Sequence, residues 1–251
     1  MASTELTCAA SLLIAPLFDA AVANDPLATP IDLFEVARTR VSVHYETGLA
    51  AVPVLSVCTP GSVRLPNSLL VSTLPRMESS ATLESARIVG GRLHTRDNSW
   101  RVARWWRPSR PRRAVSSLQL RGTASAGRDS GLSPGSLIGR GPGLTPAGDD
   151  MVAGALVTAY ALCDVRRAGW VAQTRETLDR RRTTAVSLAM LHHAMDGYAT
   201  PQLAAYIDAA TFGAPLDVAR RALLDVGHTS GAALLRGVVH TLTTHQQQGA
   251  A

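Results

Sequence analysis

Residues 139–150 read GRGPGLTPAGDD, and no other stretch of the chain gathers so much material for chemistry. Gly139, Gly141 and Gly143 alternate around Pro142, so the backbone can turn tightly and bring bare amides close to a ligand. Thr145 suits a helix N-cap, and Pro146 suits the first helical position, where a missing N–H is no loss. Asp149 and Asp150 then stand near those amides, as an anion or metal–anion site needs. A plainer reading is a glycine-rich turn feeding a buried helix, with the acids favouring its positive end. One acid would suffice for that.

A second signal is Gly227-His228-Thr229-Ser230-Gly231. Gly227 fits the residue that ends one helix, and Thr229 or Ser230 caps the next, leaving free amides around Gly231. With His228 in the joint, amides, hydroxyls and imidazole can bind a carboxylate or phosphate together. The same residues also fit a tight helix corner that satisfies itself. Paired with the first signal, the motif suits a substrate carrying negative charge at both ends.

The remaining candidates are weaker. Helical spacing aligns Asp150 with Gly154, which clears space for either a ligand or another helix's backbone. Asp149 and Asp150 can take Mg²⁺ if one turns toward a ligand phosphate, but no histidine or further acid completes a metal signature. Without metal, one Asp can orient or deprotonate an amide or amine. Asn67, between Pro66 and Ser68, offers amide hydrogen bonds to a substrate. His192 and His193 read as partly buried helix polars, Cys163 as core, and His240 and His245 carry no assigned role.

What must position these residues follows from the rest of the 251-residue chain, long enough for one large domain or two small ones. All 25 basic residues are arginine, which bars any lysine mechanism, and the net charge of +6 is modest for this length. From Arg92 to Arg113 eight arginines interleave with Trp100, Trp105 and Trp106. That pattern can stack on bases, but it also describes a strand pair with aromatic and arginine faces, and no nucleic-acid-binding signature accompanies it. No apolar run reaches membrane-spanning length, the first residues lack a basic region before their apolar stretch, and three scattered cysteines fit a reduced, cytoplasmic protein.

Short β-prone pieces at 40–44, 52–57, 63–73, 88–94 and 100–106 fill the first half, with a short helix expected near Asp32 to Arg38. Residues 107–113 and 121–136, rich in Pro, Arg, Gly and Ser, read as exposed connection. Helices are expected at 146–163, 171–179, 183–196, 200–210, 215–225 and 231–244. The fold class is therefore α+β: a β-rich N-terminal domain over 1–120, a flexible connection over 121–138, and a helical domain over 139–251. The expected packing sets the two parts against each other with an active cleft between them.

In this order and spacing the two motifs resemble the domain-of-unknown-function family 2877, which includes the oxamate carbamoyltransferase subunit of allantoin degradation. The family signature GxGPGLTPSGDD is matched from Gly139 to Asp150, with Ala147 where serine is usual, and GHTSG is matched from Gly227 to Gly231. The resemblance implies carbamoyl transfer: oxalurate and phosphate give oxamate and carbamoyl phosphate. It also implies partner protein subunits, and a homo-oligomer is expected. On that reading Asp149, Asp150 and His228 are catalytic. Asn67, Gly141, Gly143, Leu144, Thr145, Gly148, Thr229, Ser230 and Gly231 bind the small carboxylate substrate and phosphate. No cofactor is required, and Mg²⁺ on Asp149 and Asp150 is the open option. The alternatives are a metal-assisted amide hydrolase or ligase, and a non-catalytic small-carboxylate-binding subunit.

Overall fold

A computed structural model describes residues 4–19, 30–75, 84–114 and 132–249. The chain has an α+β architecture in two compact units, residues 1–108 and 109–251.

The first unit is a closed barrel of eight strands: β1 (Thr4–Ser11), β2 (Ile31–Arg38), β3 (Ser42–Leu49), β4 (Val52–Cys58), β5 (Ser68–Leu70), β6 (Glu84–Val89), β7 (Arg92–His94) and β8 (Asn98–Trp106). Their order around the barrel is β1-β5-β4-β3-β2-β6-β7-β8, and β1 closes it by pairing parallel with β8. Alternation decides which side chains fill it: Val43, Tyr45, Leu55, Val57, Leu93 and Trp100 are wholly buried in one core. Closure leaves no sheet edge exposed.

Two expectations fail here. Asp32 to Arg38 is strand, not helix. Glu35 and Arg38 form a bidentate pair at 2.6 and 2.7 Å, the i,i+3 spacing that imitates a helix. In the structure a bulge in the β2–β3 ladder between Glu35 and Ala37 brings the two together. Strand β1 was missed, because its pairing with β8 joins residues far apart in sequence and leaves no local pattern.

The second unit is helical: α1 (Pro134–Leu137), α2 (Ala147–Ala161), α3 (Arg167–Thr177), α4 (Ala185–Met195), α5 (Pro201–Phe212), α6 (Leu216–Leu224) and α7 (Ser230–Gly249). Helix α2 is buried on nearly every side, with only Ala147, Met151 and Tyr160 partly exposed, so it forms the middle of the bundle. Helix α7 crosses it closely. A Cβ on Gly154 would collide with the Leu234 carbonyl, and one on Gly237 with the Met151 carbonyl. The space beside Gly154 is therefore filled by another helix's backbone.

The division between units falls earlier than the expected boundary at residue 120. Ser109 bridges to Ala199, Ala114 N–H donates to the Ala161 carbonyl at 2.8 Å, and Arg112 pairs with Asp208. Residues 109–114 are thus fastened to helices. Of the expected connection, 121–131 lie outside the described residues, while 132–138 contain α1, and Leu132 N–H donates to His240 Nε2 at 3.4 Å.

Candidate functional site

The two glycine-marked motifs meet. The Thr145 and Ser230 hydroxyls lie 2.8 Å apart, although 85 residues separate them. Beside them is Asp150, only 8% exposed, with Oδ2 buried and lacking a hydrogen-bond partner. Burial pushes the Asp150 carboxyl up from its ordinary 3.8 to about 6, against the Ser230 and Thr145 hydroxyls that pull it down; Asp149 adds a small upward push. A carboxyl of that strength can accept and release a proton near neutral pH.

The neighbouring acid does something different. Asp149 is 1% exposed, and its Oδ1 accepts the Gly139 N–H at 2.6 Å while Oδ2 accepts the Thr183 hydroxyl. Gly139 needs to be glycine: its φ is +84°, and a Cβ would overlap the Arg182 carbonyl oxygen. Thr184, which caps α4 by accepting the Ser187 N–H at 3.0 Å, donates its hydroxyl to the Leu144 carbonyl. Asp149, Thr183 and Thr184 therefore brace the loop at its beginning and end. The two threonines were missed as site residues because nothing local marks residues whose partners lie 34 and 40 positions earlier.

Several expected details change. Helix α2 is capped at Pro146 without a side-chain bond, since the Thr145 hydroxyl is turned to Ser230. The Gly148 N–H donates to Arg140 O at 2.8 Å, and those of Asp149 and Asp150 to Pro146 O, so these three amides of the first turn of α2 are taken. The Gly231 N–H donates to Val226 O at 2.9 Å, and its missing side chain lets the Leu223 carbonyl approach. Among the described residues, the amides of Gly141, Gly143 and Leu144 have no intramolecular acceptor, and all three residues are exposed. His228 and Thr229 are exposed at the rim of the corner, and Ser230 is half-buried.

Asn67 is in the barrel unit, buried, with Nδ2 donating to Val54 O at 2.8 Å and Oδ1 unpartnered. His193 is buried and held neutral, its imidazole pushed down to about 3 by burial and then by His192. Cys163 was expected in the core and is exposed, its backbone at φ +53° beyond the end of α2. For Mg²⁺ the protein offers little here: both Asp149 oxygens are engaged, leaving Asp150. Among the described residues no group of three His, Cys, Asp or Glu is placed to hold a metal.

A comparison with known families finds a match over the span that carries both motifs. Residues 137–242 match the family of the oxamate carbamoyltransferase subunit AllH. The AllH match begins just before Gly139, ends within α7, and so covers the glycine loop, the α4 braces and the Thr229–Gly231 corner together. It links the helical unit to a carbamoyltransferase-like family. No solved structure matches the chain. Among the described residues no helix is long and apolar enough to cross a membrane.

Proposed function

We propose that this chain is a carbamoyltransferase-like enzyme subunit whose reacting centre is Asp150 with Thr145 and Ser230. The observation that carries the reading is a buried carboxylate oxygen without a partner, at the meeting point of the two motifs that the AllH match spans. Such an oxygen needs a donor from outside the chain, and a carbamoyl or amide N–H is one.

The family-implied reaction fits the arrangement. A phosphate oxygen attacks the carbamoyl carbon of oxalurate, the C–N bond breaks, and oxamate leaves as its nitrogen gains the proton that hydrogen phosphate gives up. Asp150, poised near 6, takes that proton and returns it to the departing nitrogen. The exposed amides of Gly141, Gly143 and Leu144 suit phosphate oxygens, and His228, Thr229 and Ser230 suit the substrate carboxylate. Asp149 holds the loop in place rather than touching substrate. Neither a metal-assisted amide hydrolase nor a non-catalytic binding subunit explains a buried, unpartnered Asp150 Oδ2 beside two hydroxyls as directly.

The test is phosphate-dependent release of oxamate from oxalurate, assayed with the chain alone and mixed with partner subunits. Asp150→Asn is expected to lower kcat by about 10²-fold or more, the scale of a lost general acid–base group. Unchanged turnover in Asp150→Asn would remove Asp150 from the mechanism.

A further inference from the structure

The far end of α2 carries a second cluster, which the reaction above does not use. Tyr160 lies ten residues beyond Asp150 on the same helix, hence about 15 Å along its axis. Three guanidiniums surround the Tyr160 ring: Arg110 at 5.4 Å from its centroid, and Arg113 and Arg167 each at 5.5 Å. Arg110 also lies over the Tyr198 ring, 3.6 Å from its centroid. A guanidinium that stacks by its face keeps its edge N–H groups for a planar or tetrahedral anion.

Among the described residues no carboxylate pairs with any of these three arginines, whereas nearby Arg112 takes Asp208 and Arg166 takes Asp164. Arg167 donates to the Met195 carbonyl but keeps a buried, unpartnered Nε, and Arg113 Nη2 reaches only Cys163 Sγ at 3.2 Å. The C-terminal ends of α2 and α4 offset part of the excess, roughly half a charge each, which leaves most of three positive charges unmatched. All three guanidiniums lie within 5.5 Å of the same Tyr160 centroid. The rigid Ser109–Ala199 bridge and Ala114–Ala161 bond hold Arg110 and Arg113 in this position.

We infer that Arg110, Arg113 and Arg167 form a binding site for a phosphoryl group, separate from the Asp150 centre. A phosphate dianion answers three cations gathered around one ring better than a singly charged carboxylate does, and each of its oxygens can take a guanidinium fork. Free phosphate and a phosphate monoester share this chemistry.

The test uses the full chain labelled with ¹⁵N-arginine, following side-chain Nε–Hε signals as inorganic phosphate is added at fixed ionic strength. Arg110→Gln, Arg113→Gln and Arg167→Gln assign the three signals, and the measurement itself is made on the unaltered protein. The expected result is saturable shifts of those three signals, retained in Asp150→Asn, with acetate binding about tenfold weaker or less. A phosphate monoester giving the same shifts at lower concentration identifies an ester as the source; shifts from free phosphate alone identify the inorganic ion. Uniform, unsaturable shifts across all arginines overturn the site. Equal shifts with acetate overturn the phosphoryl assignment. Loss of the shifts in Asp150→Asn would assign the anion to the catalytic centre instead, while failed oxalurate turnover with intact shifts would count against the proposed function alone.

Discussion

Asp150→Asn is expected to make the protein more stable at neutral pH while making it less active. The Asp150 carboxyl rises from 3.8 unfolded to about 6 folded, chiefly through burial. Between those values the folded state binds more protons than the unfolded state, so stability falls as pH rises through the window. Above about 6 the carboxylate is ionised in both states, and the full cost of a rise of roughly two pH units, about 3 kcal/mol, is present. Asparagine removes the charge with nearly the same shape, and the Thr145 and Ser230 hydroxyls can accept its N–H. About 3 kcal/mol is then an upper bound on the gain, worth several degrees in Tm. Thermal or urea unfolding of both proteins from pH 3 to 8 reads this directly. The gain should be near zero below pH 3.8, grow between 3.8 and 6, and level off above. A variant that is less stable at pH 8, or equally stabilised at pH 3.5 and 8, refutes the reasoning.

Other outcomes follow from neighbouring contacts. Thr183→Val removes the hydroxyl from Asp149 Oδ2 and strands a buried acceptor, costing about 1–3 kcal/mol in urea unfolding. It should also lower kcat more than it raises KM, because the loop loses its brace. Gly154→Ala drives a methyl into the Leu234 carbonyl, and about 1–3 kcal/mol of lost stability is expected by thermal unfolding. Asp164 behaves oppositely to Asp150. Burial pushes its carboxyl up, but Arg166 and His245 outweigh burial and hold it near 2. Its contribution is complete above 3.8 and lost as pH falls through 2, so Asp164→Asn should cost about 2 kcal/mol at pH 7 and progressively less below pH 4.

What the sequence showed and what it hid divide along physical lines. Local signals were readable: six helices lie close to the expected spans, and Gly227 turns at φ +59° where a helix was expected to end. The meeting of GRGPGLTPAGDD with GHTSG was legible as a hypothesis because both motifs read as anion-accepting helix starts. Their chemistry was less so. Identical residue types at 149 and 150 sit in different surroundings, one engaged at both oxygens and the other with a buried Oδ2 left without a partner, and only tertiary contacts separate them. Thr145 looked like a cap because a threonine before a proline usually is; its hydroxyl instead found a partner in α7. Arg110 and Arg113 read as exposed connection since stacking on Tyr160 and Tyr198 has no sequence spacing of its own.

The most direct test of the central claim is a crystal structure of the protein soaked with oxamate and phosphate. The account predicts density at the Thr145–Ser230 contact, with the oxamate nitrogen within hydrogen-bonding distance of Asp150 Oδ2 and phosphate against the amides of Gly141–Leu144. Ordered oxamate bound elsewhere, with Asp150 Oδ2 still lacking a partner, would contradict it.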